Sequence, residues 1–112
     1  MKINLEKLPE SKGTNILIGS QNLDAGNVKS FMEQIAPPLN EFDTVLIDMS
    51  QLSFVDSSGL GALLSCLRTM NNKGGQLKLF ALAKPVQTLF ELVRMDRIFS
   101  IDNNRDQALA TL

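Results

Sequence analysis

The chain has 112 residues, enough for one core and too few for two, and its 44% hydrophobic and 21% charged residues are ordinary for a globular protein. Eleven Lys and Arg stand against twelve Asp and Glu for a net charge of −1, and the cations are scattered, so there is no electrostatic footprint for nucleic acid. With no histidine and a single cysteine, Cys66, an internal disulfide, a Cys/His zinc site and Ser–His or Cys–His catalysis are all excluded.

No apolar run approaches the roughly 20 residues that span a bilayer, and Met1-Lys2 leads into an alternating segment rather than a leader core. This predicts a cytoplasmic protein without membrane insertion. Ile3, Leu5 and, less regularly, Leu8 predict a first strand. Pro9-Glu10-Ser11-Lys12-Gly13 reads as a turn, and Thr14 to Ile18 as the antiparallel partner strand. Gly19 to Asn22 is polar and loop-like, after which Asp24 is placed to cap a helix with the stripe Val28, Phe31, Met32 and Ile35. Pro37-Pro38 should stop that helix, and Leu39 and Phe42 should close the core on the way to the next strand.

Val45, Leu46 and Ile47 form an unbroken apolar run, which suits a central strand covered on both faces. Beyond Asp56 the period changes, with Leu60, Leu63, Leu64, Leu67 and Met70 at the three- and four-residue steps of a helix face. Cys66 lies beside this stripe and reads as packing. Asn71-Asn72-Lys73-Gly74-Gly75 ends the helix, and Leu77, Leu79 and Phe80 make a fourth strand. Lys84-Pro85 opens a third helix with the stripe Val86, Leu89, Phe90 and Val93. Ile98 to Ile101 is a short strand, and Arg105 to Leu112 a last helix offering Ala108, Leu109 and Leu112 to the sheet. Lys84, Arg94 and Arg97 flank the third helix as solvated charges. Strands alternate with helices from Asp24 onward, and right-handed crossovers make such strands parallel neighbours. The expectation is one α/β domain over residues 1–112, with a mixed, mostly parallel sheet of four to five strands, an N-terminal antiparallel pair and about four helices.

Asp56-Ser57-Ser58-Gly59 falls at the start of the second helix, where the first N–H groups lack partners. In the plainer reading Asp56 or a serine caps the helix and the glycine permits close packing. In the functional reading one hydroxyl is a phosphate acceptor, since a helix N-terminus tolerates the charge. Asp48 and Asp56 are separated by a loop and have no third acid or phosphate-cradling loop beside them, which argues against catalysis or a metal site. Asp48 is expected to end its strand and hydrogen-bond the following loop.

Leu52 to Leu64, L-S-F-V-D-S-S-G-L-G-A-L-L, resembles the signature of STAS domains, in particular of the free-standing anti-sigma factor antagonists of bacteria. The resemblance extends over nearly the whole chain and implies a STAS fold with helices mostly on one face; no nucleophile–base pair and no phosphate loop can be written from the residues, so neither catalysis nor a cofactor is expected. It further implies that Ser57, directly after the aspartate, is phosphorylated, with Ser58 the less favoured hydroxyl. Asp56, Ser58, Gly59 and Leu60 would shape the partner surface, joined by Asp24. The implied partners are an anti-sigma factor that is also a serine protein kinase, and a metal-dependent serine phosphatase that resets the phosphorylated form. The Gly19-to-Asp24 loop departs from the shorter glycine-leucine-aspartate turn common in the family. An alternative within the same resemblance is a non-switching subunit of a stress-sensing complex or of a lipid-transport ATP-binding-cassette system.

Overall fold

The structure, a computed structural model, describes residues 1–8 and 13–112. Its elements in order are β1 (Ile3–Lys7), β2 (Gly13–Ile18), β3 (Asn22–Leu23), α1 (Val28–Glu41), β4 (Thr44–Asp48), β5 (Phe54–Val55), α2 (Ser57–Asn72), β6 (Gln76–Phe80), α3 (Lys84–Leu92), a 3₁₀ turn (Met95–Arg97), β7 (Ser100–Asp102) and α4 (Arg105–Ala110). The main sheet has the strand order β1-β2-β4-β6-β7, and β3 and β5 form a separate parallel pair. β1 runs antiparallel to β2, and every other neighbour in the main sheet is parallel, as the alternation of strands and helices predicts.

The central place of β4 explains its unbroken apolar run. Val45 lies between Thr14 and Leu77, and Ile47 between Ile16 and Leu79. These two join Phe31, Ile35 and Leu39 of α1, Leu63, Cys66 and Met70 of α2, and Val86 and Phe90 of α3 in the main core. Leu46 points the other way and packs with Leu8, Phe80 and Ala108 of α4. Three helices therefore cover one face and the short α4 the other.

Several boundaries differ from expectation. Leu8 follows β1 and is buried in the second cluster, while Leu5, within the strand, is 53% exposed. The expected turn at Pro9 to Gly13 falls on residues 9–12, outside the described residues, and Gly13 already belongs to β2. Pro37 and Pro38 do not stop α1, which continues to Glu41. The two prolines remove the N–H groups that the carbonyls four residues earlier would accept. The turn beyond them is held from outside, because Pro38 and Leu39 are buried and Lys73 Nζ donates to the carbonyls of Leu39 (2.8 Å), Asn40 (3.1 Å) and Phe42 (2.8 Å). A lysine at a helix C-terminus satisfies orphan carbonyls and complements the dipole.

The core face of α2 is Gly59, Ala62, Leu63, Cys66 and Met70, so Leu60, Leu64 and Leu67 flank the core half-buried rather than leading the stripe. Gly74, at φ +75°, ends that helix as expected, and the Gly75 N–H closes on the Met70 carbonyl at 2.8 Å. Beyond α3, Val93 lies outside the helix and is exposed. The last strand begins at Ser100 rather than Ile98, which is 52% exposed, and Leu112 stands past α4 in solvent. Lys84, Arg94 and Arg97 are exposed, as solvated charges are. Among the described residues no helix is long and apolar enough to cross a membrane.

Candidate functional site

The start of α2 is built by a strand pair that periodicity does not reveal. The residues read as a plain loop, Gly19 to Asn22, instead run into β3, whose Asn22 and Leu23 lie opposite Phe54 and Val55 of β5. The Gln21 carbonyl accepts from the N–H groups of Ser53 (2.7 Å) and Phe54 (3.1 Å), and the Leu23 carbonyl from the N–H of Asp56 (3.2 Å). Leu23 is fully buried and anchors this second ladder to the core.

Asp56 is the N-cap of α2 and ties two loops together. Its Oδ1 accepts from the Gly59 N–H at 2.9 Å, and its Oδ2 from the Ala25 N–H at 3.0 Å. The Gly59 N–H is the main reason the Asp56 carboxyl lies below the usual aspartate range; partial burial opposes this, and the Ala25 and Ser58 N–H groups reinforce it. Gly59 is buried where α2 crosses β3. A Cβ there would stand 2.3 Å from the Leu23 carbonyl oxygen and 2.8 Å from Val55 Cγ1, so only glycine fits. The Leu60 N–H closes the first helical turn on the Asp56 carbonyl at 2.9 Å, and the Leu60 side chain is half-buried at the edge of the core.

Asp24 is beside this cap but does not cap α1 with its carboxylate. α1 starts after Asn27, and the Asp24 contribution is its carbonyl, which accepts from Asn27 N–H (3.1 Å) and Val28 N–H (2.9 Å). Its carboxylate is spent on the loop, accepting from Asn22 Nδ2 (2.6 Å) and the Gly26 N–H (2.9 Å). Asn27 Oδ1 accepts from the Asp24 N–H at 2.9 Å, and its Nδ2 donates to the Asn22 carbonyl at 2.8 Å. The folded loop thus holds Asp24 and Ala25 against Asp56. Periodicity does not single out Asn22, Ala25 and Asn27; the available signal is the Asx turn at Asp24, whose Oδ1 accepts from the Gly26 N–H two residues on. Asp48 ends β4 and accepts from the Ser50 N–H at 2.9 Å, as anticipated.

The two serines are not equivalent. Ser57, the first residue of α2, is exposed, whereas Ser58 is half-buried. Phe54, at 54% exposure, is an exposed aromatic side chain three residues before Ser57. Chemically this is a small surface with an exposed hydroxyl, a positive helix end beneath it and the Asp56 carboxylate capping that end. Cys66 is fully buried and takes no part, and its thiol is pushed up to about 12 by burial.

The chain is similar to several known proteins. The anti-sigma F factor antagonist of Paenibacillus polymyxa is 32% identical over 68 residues, which are 61% of this chain and 58% of that protein. The anti-sigma-B factor antagonist of Staphylococcus aureus is 21% identical over 108 residues, 95% of this chain and 98% of that protein. Among solved structures, an anti-sigma-factor antagonist (STAS) domain protein of Planctomyces limnophilus superposes with a TM-score of 0.86 at 18% identity, covering 97% of this chain and 96% of that one. The anti-sigma factor antagonist SpoIIAA matches at TM-score 0.71 in its unphosphorylated form (19% identity, 98% of this chain, 96% of that one) and in its phosphorylated form (20% identity, 98% of each). At such identities the structural likeness is one of fold. A family model described as the STAS domain matches residues 7–108, which take in four of the five strands of the main sheet and the helices on it, and the chain belongs to that family.

Proposed function

We propose that this protein is an anti-sigma factor antagonist of a bacterial cytoplasm, working as a non-enzymatic binding module that a phosphate on Ser57 switches off. The observation that carries the reading is the exposed hydroxyl of Ser57 at the first position of α2, beside a cap that Asp56 and Gly59 complete without it. A phosphate there adds about −1.5 to −2 charges at neutral pH. The helix end offsets that charge within the protein, so the fold survives modification. A docked partner does not accommodate it, because Asp56 and Asp24 already make the surface acidic and a desolvated unpaired charge is costly. A loss of about 3 kcal/mol in the complex lowers affinity more than a hundredfold.

The partner is an anti-sigma factor, the class named for both curated relatives, and it serves also as the serine kinase; a serine phosphatase restores the binding form. Asp56, Ser58, Leu60 and Asp24 form the docking surface around the acceptor, and the buried Gly59 shapes it only by letting α2 start close on β3. The test is a pull-down from the source cell with wild type, Ser57→Ala and Ser57→Asp as baits, together with phosphosite mapping of the endogenous protein. Retention of a kinase-fold anti-sigma factor by wild type and Ser57→Ala but not by Ser57→Asp is expected. Equal capture by all three, with Ser57 unmodified in cells, would replace the switch by a non-switching subunit.

A further inference from the structure

We infer that a groove beside α4 binds a small organic cation, a primary ammonium carrying a hydrocarbon body. The register of the main sheet places the groove. Leu46 of β4 and Phe80 of β6 pack with Ala108 of α4, on the face away from the main core. Side chains alternate along each strand, so Asp48 of β4, Asn15 and Leu17 of β2, and Glu6 of β1 stand on that same face. The six-residue α4 lies on β6 and β7 and leaves the β1–β2 half of the face open. There these side chains, with Phe80 and Arg105, line an open groove of about 280 Å³. Arg105, the first residue of α4, reaches over β2 to β1 and donates to both Glu6 carboxylate oxygens, at 3.0 and 3.3 Å.

Asn15 carries the inference. It is 6% exposed, and its Oδ1 accepts from no group among the described residues. A buried amide oxygen is costly to leave unmatched. Asn15 lies directly opposite Glu6, so the Arg105–Glu6 bridge closes over it. An ion pair as exposed as this one is weak and opens readily for a ligand. The second acceptor is the half-buried Asp48, whose Oδ1 takes the Ser50 N–H at 2.9 Å, leaving Oδ2 for a ligand. Asn15 pairs with Leu46, two residues before Asp48, which makes Asn15 and Asp48 diagonal neighbours. Strand spacing and rise set their Cβ atoms about 8 Å apart, so one donor between them bonds both oxygens. Charge selects the donor. Glu6 and Asp48 outweigh Arg105, whose guanidinium Glu6 already holds. An anion would meet two carboxylates and an amide oxygen, whereas an ammonium brings three donors and no acceptor. Leu17 and Phe80 supply the apolar surface for its hydrocarbon.

The test is a heteronuclear NMR titration of the purified chain with phenethylammonium chloride at fixed ionic strength, with phenethyl alcohol and phenylacetate as neutral and anionic counterparts. The ammonium should move the Asn15 side-chain amide and the backbone signals of Leu17 and Asp48 along saturating curves. It should bind about tenfold more tightly than either counterpart, the effect of one charged hydrogen bond. Asp48→Asn, which keeps an oxygen for Ser50, and Asn15→Leu, which removes the buried acceptor, should each weaken binding about tenfold with an unchanged circular dichroism spectrum. If Asn15→Leu fails to fold, Asp48→Asn decides alone. A partner's lysine side chain offers the same ammonium, so acetyl-lysine amide is titrated in parallel. Saturation by the lysine derivative but not by phenethylammonium would overturn the small-molecule assignment. So would the absence of any saturable shift, equal binding of the alcohol, tighter binding of phenylacetate, or an Asp48→Asn protein that binds like wild type.

Discussion

Replacing Gly59 by alanine probes the joint between α2 and the β3–β5 ladder. The added Cβ would stand 2.3 Å from the Leu23 carbonyl oxygen, 2.8 Å from Val55 Cγ1 and 3.0 Å from Leu23 Cγ. That oxygen cannot retreat cheaply, because it accepts the Asp56 N–H at 3.2 Å and belongs to a fully buried residue. Overpacking of a core costs about 1–3 kcal/mol, and a clash with backbone lies at the upper end, near 3. Alanine returns about 1 kcal/mol through helix propensity, leaving a net loss of about 2 kcal/mol. For a chain of this size that is a fall in Tm of about 8 °C. Gly61, on the same helix, has nothing within 4 Å of its would-be Cβ. Gly61→Ala should therefore show only the propensity gain, about 0.5–1 kcal/mol, and melt about 2–4 °C higher. Thermal unfolding followed by far-UV circular dichroism measures both. A Gly59→Ala protein that melts at or above wild type would refute the close approach of α2 to β3.

Two further outcomes concern titration and reactivity. The Asp56 carboxyl is lowered in the folded state, chiefly by the Gly59 N–H, so its contribution is present above the unfolded aspartate value of about 3.9 and disappears as pH falls through the lower folded value. Asp56→Asn should accordingly flatten the acid limb of a stability-versus-pH profile from urea melts, and an unchanged limb would assign acid sensitivity to other carboxyls. The Cys66 thiol, pushed up to about 12 by burial, should resist an aromatic disulfide reagent at pH 8. At that pH about one such thiol in 10⁴ is ionised, against about one in four at the ordinary value. Fast labelling of native protein at a rate independent of urea would contradict its burial.

What was legible in the sequence followed from period and from helix chemistry. The run at Val45 to Ile47 marks a strand covered on both faces, and the structure sets it between β2 and β6. Proline at the start of α3 and the glycine that ends α2 act where local conformational preference and tertiary structure agree. Two of the misses share a cause, which is that long-range partners override local signals, and a third is a competition within one loop. Pro37-Pro38 reads as a stop because the lysine that holds the turn beyond it, Lys73, is 34 residues from Leu39. The β3 and β5 strands have two residues each, too short for any alternation to register, and they exist because each completes the other. Asp24 looks like a cap because Asp often caps, yet Asn22, Gly26 and Asn27 draw it into the loop.

The same division runs through Asp56 to Gly59 and decides how much the signature says about function. Asp56 is needed by the fold, since its two oxygens hold α2 and the loop before α1 together. Gly59 is needed because β3 passes under it. These two would be required of a rigid subunit as much as of a switch, so their presence speaks for the architecture. Ser57 differs: it is exposed, and its side chain neither caps α2 nor fills the core. A hydroxyl for which the fold has no use, placed at a helix end able to carry an added anion, is the part of the signature on which a switching role rests.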